Sequence, residues 1–336
     1  MEGDLLLSSS PRHAAATMAA QPPQTRAAPA RRFGAGVLFA GIAALAVITV
    51  CRLLEKPRDT APEAQEEPKR VGAPRYLNGA AAILSFSVLG DSALEHYRGT
   101  YHNPAMYLAP TVAAATLVNS LHMTLKPEHF GMARTALAGL GLATGVGGLS
   151  FHLYNVGKRE GGFDLLNLFY GAPLGAPIAM TLAGLAGLAA SDLVREGERR
   201  QSATLLELPA GKVIGAGAAV GLIGTVAEAG LLHFRGAFHN PFMFLPVTLP
   251  PIAAITLGMA TLRPGLRRLA RVLLRATTVM GVAGTGFHIY GVSRNMGGFY
   301  NNWSQNLLNG PPLPAPPSFT GVALAGLAAI ELMDAA

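Results

Sequence analysis

The sequence predicts an all-α polytopic membrane protein, with an N-terminal transmembrane helix followed by two tandem repeats of four transmembrane helices. Charged residues make up 13% of the 336 residues, about half of the share that is usual in soluble domains. Long stretches carry no formal charge: 27 residues separate Arg98 from Lys126, and 27 separate Arg235 from Arg263. Because a helix needs about 20 apolar residues to cross a bilayer, these stretches are long enough to span it.

Composition also excludes several classes of protein. A single cysteine excludes an intramolecular disulfide and any cysteine-rich zinc or iron–sulfur site, and no C-x-x-C-H motif is present for covalent haem. The net charge of +7 does not indicate binding to nucleic acid. The basic residues lie in short loops between apolar segments, where they set the topology of the membrane helices.

The chain divides into six predicted segments. The N-terminal tail is rich in Ala, Pro, Ser and Arg, and the linker that follows the first apolar segment mixes Pro with charged residues, so neither can build a core. The predicted segments are a disordered tail (1–32), a first transmembrane helix (33–53), a linker (54–75), repeat 1 (76–193), a connector (194–211) and repeat 2 (212–333).

The internal repeat is the most informative feature of the sequence. HYRGTYHNPAMYLAP at 96–110 matches HFRGAFHNPFMFLPV at 233–247 at eight of 15 positions. GLSFHLYNVGKREGGF at 148–163 matches GTGFHIYGVSRNMGGF at 284–299 at eight of 16. An even number of spans per repeat gives both halves the same orientation. The halves are therefore predicted to be related by a pseudo-two-fold axis along the membrane normal.

The distribution of Lys and Arg predicts the orientation of the chain. The side of the membrane that holds the two H-x-R-G-x2-H-N-P turns is termed the motif side. Beyond the tail, the first transmembrane helix and the linker, the opposite side carries 11 basic residues and the motif side five. By the positive-inside rule the opposite side is cytoplasmic, so the motif loops are expected to face the periplasm or exterior of a bacterial inner membrane.

Histidines and acids at matched positions of the two repeats form the candidate site. Six of the nine histidines fall into three matched pairs, and an acid precedes the first histidine of each repeat by five residues. All of these groups lie towards the motif side, where imidazole and carboxylate together would suit a transition metal. The predicted ligands are His96, His102, His152, His233, His239, His288, Asp91 and Glu228.

Part of the motif has a structural explanation. Asn103 and Asn240 are predicted N-caps, with Pro104 and Pro241 at the first helical position. Gly99 and Gly236 are expected to end the preceding helices in a left-handed conformation. Nothing in this description of the turn requires two histidines.

The roles of the acids and arginines of the motif have alternative interpretations. Asp91 and Glu228 lie inside the membrane, where an unpaired charge costs several kcal/mol. They either serve the site or form structural ion pairs with Arg98 and Arg235. The same arginines could instead pair with the propionates of a haem.

The sequence favours a membrane redox protein whose duplicated sites hold iron, copper or b-type haem. Electron transfer or oxidation of a quinol would suit sites near the external face, and the chain could be a subunit of a membrane oxidoreductase. Its expected partners are the lipid bilayer and a quinone or redox protein. Two alternatives remain: a proton- or metal-ion-coupled transporter, and a non-catalytic membrane scaffold.

Overall fold

The computed structural model describes residues 72–127, 131–198 and 204–336, and most of them are helical. This confirms the predicted all-α class. The α-helices of the described chain are α1 (Gly72–Arg98), α2 (Leu108–Leu125), α3 (Met132–Gly157), α4 (Leu165–Tyr170), α5 (Gly175–Glu198), α6 (Ala210–Arg235), α7 (Leu245–Ala260), α8 (Arg267–Arg294), α9 (Trp303–Asn309) and α10 (Pro317–Ala335).

Short elements connect these helices. A 3₁₀ turn at Pro104–Tyr107 leads into α2, one at Pro241–Phe244 leads into α7, and one at Pro264–Leu266 leads into α8. Strands β1 (Thr204–Leu205) and β2 (Leu208–Pro209) form a small antiparallel hairpin between α5 and α6.

Seven helical segments of the described chain are long and apolar enough to cross a membrane. They are α1, α3, α5, α6, α10, and α7 and α8 each taken with its preceding 3₁₀ turn. In lipid a helix satisfies every backbone N–H and C=O within its own segment, which explains why the apolar stretches adopt this state. These helices indicate an integral membrane protein.

Helix α2 differs from the helices around it. It is helical as predicted, but it is not among the seven candidate spans. Asn119, Ser120 and His122 interrupt its apolar sequence near its C-terminal end. The counterpart helix α7 carries Thr256, Leu257 and Met259 at the matched positions.

Small side chains build the core between the halves. Helix α10 contacts α1, α6 and α8, and α1 also contacts α5. Ala80, Ala81, Ala323 and Ala328 are fully buried in this core. Since lipid supplies no hydrophobic drive between helices, residues of this size stabilise the bundle by letting the backbones approach closely.

Two matched glycines mark close approaches between helices within each half. A Cβ at Gly145 would stand 2.8 Å from the Cα of Thr181, which brings α3 against α5. A Cβ at Gly281 would stand 2.9 Å from the backbone nitrogen of Thr320, which brings α8 against α10. Neither position has room for a side chain, because the neighbouring atoms include backbone atoms of the facing helix or of the segment that enters it.

The two junctions between the halves differ. Helices α1 and α10 pack along their length, with the Ser87 hydroxyl donating to the Pro314 carbonyl at 2.5 Å and Gly321 facing Leu84. Helices α5 and α6 stand at the matched positions but make far fewer contacts. One junction is therefore closed and the other is nearly open.

Several predicted boundaries shift. Helix α1 is already helical at Gly72, within the predicted linker, and α5 continues to Glu198, into the predicted connector. The short helices α4 and α9 and the β-hairpin were not predicted, since each is too short to show a periodic pattern. The predicted tail at 1–32 and the first transmembrane helix at 33–53 lie outside the described residues.

Candidate functional site

The turn between α1 and α2 is built in the same way as the turn between α6 and α7. In both, the Asn side chain accepts a hydrogen bond at 3.0 Å from the backbone N–H two residues later. Pro104 and Pro241 then occupy the first helical position. The predicted caps Asn103 and Asn240 are confirmed, and each begins a 3₁₀ turn that runs into the following helix.

The prediction of left-handed glycines is wrong. Gly236 has φ −81°, and Gly99 is not among the residues with positive φ. The left-handed residues are instead the two that follow each glycine, with φ between 44° and 57°. The glycines make room for methionine: a Cβ would stand 2.9 Å from Met106 Cε in the first turn and 3.0 Å from Met243 Cε in the second. The methionines therefore pack against the turn.

The first histidine of each motif joins the end of one helix to the start of the next. His96 Nδ1 lies 2.5 Å from the carbonyl oxygen of Met106, and His233 Nδ1 lies 2.9 Å from that of Met243. Both imidazoles are partly buried. Each bond closes a segment of ten residues and so fixes the geometry of the helical hairpin.

The second histidine of each motif stabilises the turn itself. His102 Nδ1 lies 2.9 Å from the Gly99 carbonyl oxygen, and His239 Nδ1 lies 2.9 Å from the Gly236 carbonyl oxygen. Both side chains are exposed. Contrary to the expectation that nothing in the turn requires two histidines, both histidines of each motif bond its backbone.

The third histidine of each repeat bonds the segment before the last helix of that repeat. His152 on α3 bonds the carbonyl of Pro173, and His288 on α8 lies 2.7 Å from the carbonyl of Pro312. Both bonds tie the motif-side end of the third long helix to the Pro-rich entry of the fourth.

These six bonds determine the state of the imidazoles. A carbonyl oxygen can only accept, so Nδ1 must carry the proton in every case. In a neutral imidazole the other nitrogen, Nε2, then keeps its lone pair. The matched histidines therefore share one tautomer, which leaves Nε2 as the nitrogen that could bind a metal or accept a proton.

Within each repeat the first and third histidines are near enough to interact electrostatically. His96 and His152 interact electrostatically at the motif-side end of α1 and α3. His233 and His288 do the same at the ends of α6 and α8. The folded chain thus holds two imidazole pairs, each from two helices of one repeat.

The two acids interact electrostatically across the junction between the repeats. The carboxylate of Glu228 acts electrostatically on Asp91, and Glu95 and Arg98 act on it as well. Glu228 accepts a hydrogen bond from the backbone N–H of Gly175, where α5 begins, and a side chain at Gly175 would collide with it. Glu228 therefore links α6 to the start of α5, within electrostatic range of Asp91 on α1.

The arginines of the motif have partners that the sequence did not predict. Arg98 forms a salt bridge at 2.8 Å with Glu95, three residues earlier on α1. Arg235 lies over the rings of Phe169 and Tyr170, with its Cζ 5.5 and 5.1 Å from their centroids. The sequence signal for the Arg98 salt bridge is Glu95, which lies one helical turn earlier. The contact of Arg235 with the two rings joins different repeats, so no local pattern in the sequence indicates it.

Stacked aromatic rings support both turns. Tyr101 and Tyr107 stack at 4.3 Å in the first, and Phe238 and Phe244 stack at 4.6 Å in the second. The Tyr101 hydroxyl donates to the carbonyl of Ala93 at 3.3 Å. Burial, with a smaller effect from Tyr107, raises the pKa of Tyr101, so its hydroxyl stays protonated to a higher pH than that of a free tyrosine.

The described residues contain no group of three or more His, Cys, Asp and Glu side chains arranged to hold a metal ion. The eight predicted ligands thus form smaller sets: an imidazole pair in each repeat, an exposed histidine in each turn, and an acid pair between the repeats. Comparison of the chain with protein-family models, with curated proteins and with solved structures gives no match.

Proposed function

We propose that the chain is a membrane redox protein in which each half binds one centre through two histidines, His96 with His152 and His233 with His288. The observation that carries the proposal is the shared state of these four imidazoles, each held through Nδ1 by a backbone carbonyl. Histidines that bind metals usually have their second N–H held in this way, with the free nitrogen directed at the metal.

Two protein ligands per centre favour b-type haem over a bare ion. Haem supplies four nitrogen ligands of its own, so the two histidines of each half would be enough to hold it. A bare iron or copper ion would need further donors, from His102, His239, Asp91 or Glu228, and the described chain does not gather three such groups. Arg235 is the better candidate for a propionate, because its contacts are aromatic and leave its charge available.

The chain's own residues would hold and isolate such a centre. When bound, the centre would accept and release electrons. The backbone carbonyls of Met106, Pro173, Met243 and Pro312 fix the orientation of the imidazoles. A centre at the helix ends would be within reach of a quinol in the lipid or of a redox protein at the membrane surface.

The proposal includes a tandem arrangement of the halves about a pseudo-two-fold axis along the membrane normal. Matching hydrogen bonds at all three histidine pairs support it, as does the repeated contact of matched glycines with α5 and α10. The α1–α10 junction is closed and the α5–α6 junction is nearly open, so the proposed pseudo-two-fold relates the contacts within the halves but not the contacts between them.

We propose further that the motif turns face the exterior or periplasm. The excess of Lys and Arg on the opposite side supports this orientation. It can be tested in a Cys51→Ser background with single cysteines at Glu160 and Met296, both exposed on the motif side, and at Gly265 on the other. An impermeant thiol reagent should label the first two in intact cells, and labelling of Gly265→Cys alone would contradict the orientation.

The decisive experiment is a visible spectrum with elemental analysis of the purified protein and of Asn variants. Asn carries an amide nitrogen on Cγ, as His carries Nδ1, so His152→Asn and His288→Asn retain a donor for the proline carbonyls and remove Nε2. Each variant should fold and lose about half of the Soret absorbance. The matched controls His102→Asn and His239→Asn should retain all of it.

Two outcomes would contradict the redox proposal. One is a purified protein with neither a Soret band nor stoichiometric iron or copper. The other is a bound centre that survives both His152→Asn and His288→Asn. In either case the histidine bonds to backbone carbonyls would be explained by their structural role alone.

The acid pair favours a second candidate, a proton-coupled transporter. Asp91 and Glu228 come from different repeats and interact across the junction, as expected for a pathway at a pseudo-two-fold. Asp91→Asn and Glu228→Gln in proteoliposomes should then abolish proton uptake and leave the content of any bound centre unchanged. If the wild-type protein showed no proton uptake, this candidate would be contradicted. A protein with neither proton uptake nor a bound centre would be a scaffold.

A further inference from the structure

A groove opens between α2 and α3 on the side of the molecule away from the candidate site. The groove is shallow and open on one side, with a volume of about 640 Å³. Ala114, Ala115, Val118 and Leu137 line its apolar part. Ala115 and Val118 are exposed in the described chain, so this part of the groove is open to lipid.

Polar side chains line only one end of the groove. Asn119 and His122 lie near the C-terminal end of α2, and Arg134 lies near the start of α3. Ala114 is eight residues before His122 on α2, or about 12 Å at 1.5 Å per residue. The polar end therefore lies at the membrane surface opposite the motif side, and the apolar end reaches towards the middle of the bilayer.

The polar end is basic. Arg134 donates to His122 Nε2 at 3.1 Å and to the sulfur of Met123 at 2.8 Å. Because a guanidinium cannot accept, His122 accepts this bond. Within the described ranges Arg134 has no carboxylate partner, and the Asn119 amide adds a further donor beside it.

The second half lacks this groove chemistry. The positions that match Ala115, Val118, His122 and Arg134 hold larger or apolar residues. These counterparts are Ile252, Ile255, Met259 and Ala270. The lining of α2 is therefore a property of one repeat, in contrast to the three histidine pairs that both repeats share.

We propose that the α2–α3 groove is a binding site for an anionic phospholipid, with its phosphate at Arg134, His122 and Asn119 and an acyl chain along Ala115 and Val118. Arginine binds phosphate with charge-assisted hydrogen bonds. A phospholipid also matches the layout of the groove, because its charge lies at the membrane surface and its chain extends inwards. Basic pockets between transmembrane helices are known sites for anionic headgroups.

The test measures lipid binding by the full chain. The protein is reconstituted in phosphatidylcholine vesicles with increasing phosphatidylglycerol, and retained lipid is counted by native mass spectrometry. The wild type should retain phosphatidylglycerol over phosphatidylcholine. Arg134→Gln should lower its affinity on the order of tenfold, the effect of losing one hydrogen bond to a charged group, whereas Arg134→Lys should lower it less.

The matched control is Arg268→Gln, which removes an exposed arginine at the same membrane surface of the second half. It should leave phosphatidylglycerol binding unchanged. Equal losses in Arg134→Gln and Arg268→Gln would mean general attraction to a charged surface and would overturn the site. Equal retention of both lipids by the wild type would also overturn it.

A photo-crosslinker at Val118 identifies the occupant. A phospholipid adduct on this exposed position supports the proposal. An adduct with a quinone, or with the chain's own apolar segment at 33–51, would overturn it. With the crosslinker kept at position 118, a threefold variant with the second half's residues (A115I, H122M, R134A) should lose the adduct. If that variant does not fold, Arg134→Gln alone must reduce the adduct yield.

Discussion

The two ends of this molecule relate to the internal repeat in opposite ways. At the motif side, three histidine pairs, two capping asparagines and two stacked ring pairs make the same contacts in both halves. At the other side, α2 has a basic groove where α7 carries Ile252, Ile255 and Met259. Both repeats therefore have the same contacts at the motif side, whereas their residues at the opposite side differ.

This difference separates two kinds of explanation for a residue. A contact that occurs in both halves is explained by the repeat unit, whether it holds the turn or a bound centre. A feature found in only one half, such as the arginine at position 134, needs an explanation of its own. The following predictions test whether matched contacts in the two halves contribute equally to the free energy of unfolding.

The largest effect is expected at the paired glycines. Gly145→Val and Gly281→Val insert a side chain against backbone atoms of α5 and α10. Overpacking of this kind costs about 1–3 kcal/mol and more where backbone cannot move, so both variants should lose most folded protein. Size-exclusion chromatography and thermal unfolding in detergent would measure the loss.

The controls for the glycine variants are Gly147→Ala and Gly286→Ala, where a Cβ meets nothing within 4 Å. Both should retain at least wild-type stability, because alanine restricts the unfolded chain more than glycine does and meets no neighbouring atom here. If only one of the two valine variants were unstable, the halves would differ in their interior packing as well as in their junctions.

An intermediate effect is expected at the capping residues. Asn103→Ala and Asn240→Ala each remove one side-chain bond to the first turn of the 3₁₀ segment. Loss of an N-cap costs about 1 kcal/mol, so each variant should show a similar, modest decrease in unfolding temperature. A much larger loss in one half would show that its turn carries more of the stability, and the Asp variants should recover most of it.

The smallest effect is expected at Tyr101. Tyr101→Phe installs the ring that Phe238 has in the second turn and removes the hydroxyl bond to the Ala93 carbonyl. One neutral hydrogen bond contributes about 0.5–1.5 kcal/mol, and partial exposure of this one places the expected loss at the lower end. A loss like that of the glycine variants would refute the equivalence of the two turns.

The sequence predicted the features that depend on local pattern or on repetition. Apolar stretches predicted the long helices, and Asn-Pro predicted the caps at Asn103 and Asn240, because both signals lie within a few residues. Helices α4 and α9 were missed because six or seven residues show no periodicity. The left-handed positions were assigned to glycine, whereas these turns use glycine to admit methionine.

The candidate site was predicted as a set of residues but not as an arrangement. Matching of the repeats singled out the six histidines, yet it could not show that each would bond a backbone carbonyl. The interaction of Asp91 with Glu228 depends on how α1 and α6 stand in the bundle. The contact of Arg235 with Tyr170 likewise joins segments from different repeats, and no spacing in the chain reports it.

The position of α10 has a consequence for the synthesis of the protein. This helix contacts α1, α6 and α8, and most of it is buried, but 218 residues separate the end of α1 from its first residue. At a translation rate of 5–20 residues per second, α1 would wait roughly 10 to 45 s for its partner. During that interval the alanine face of α1 must be covered by lipid or by an insertion chaperone, so the first repeat cannot reach its final packing while the second is still being made.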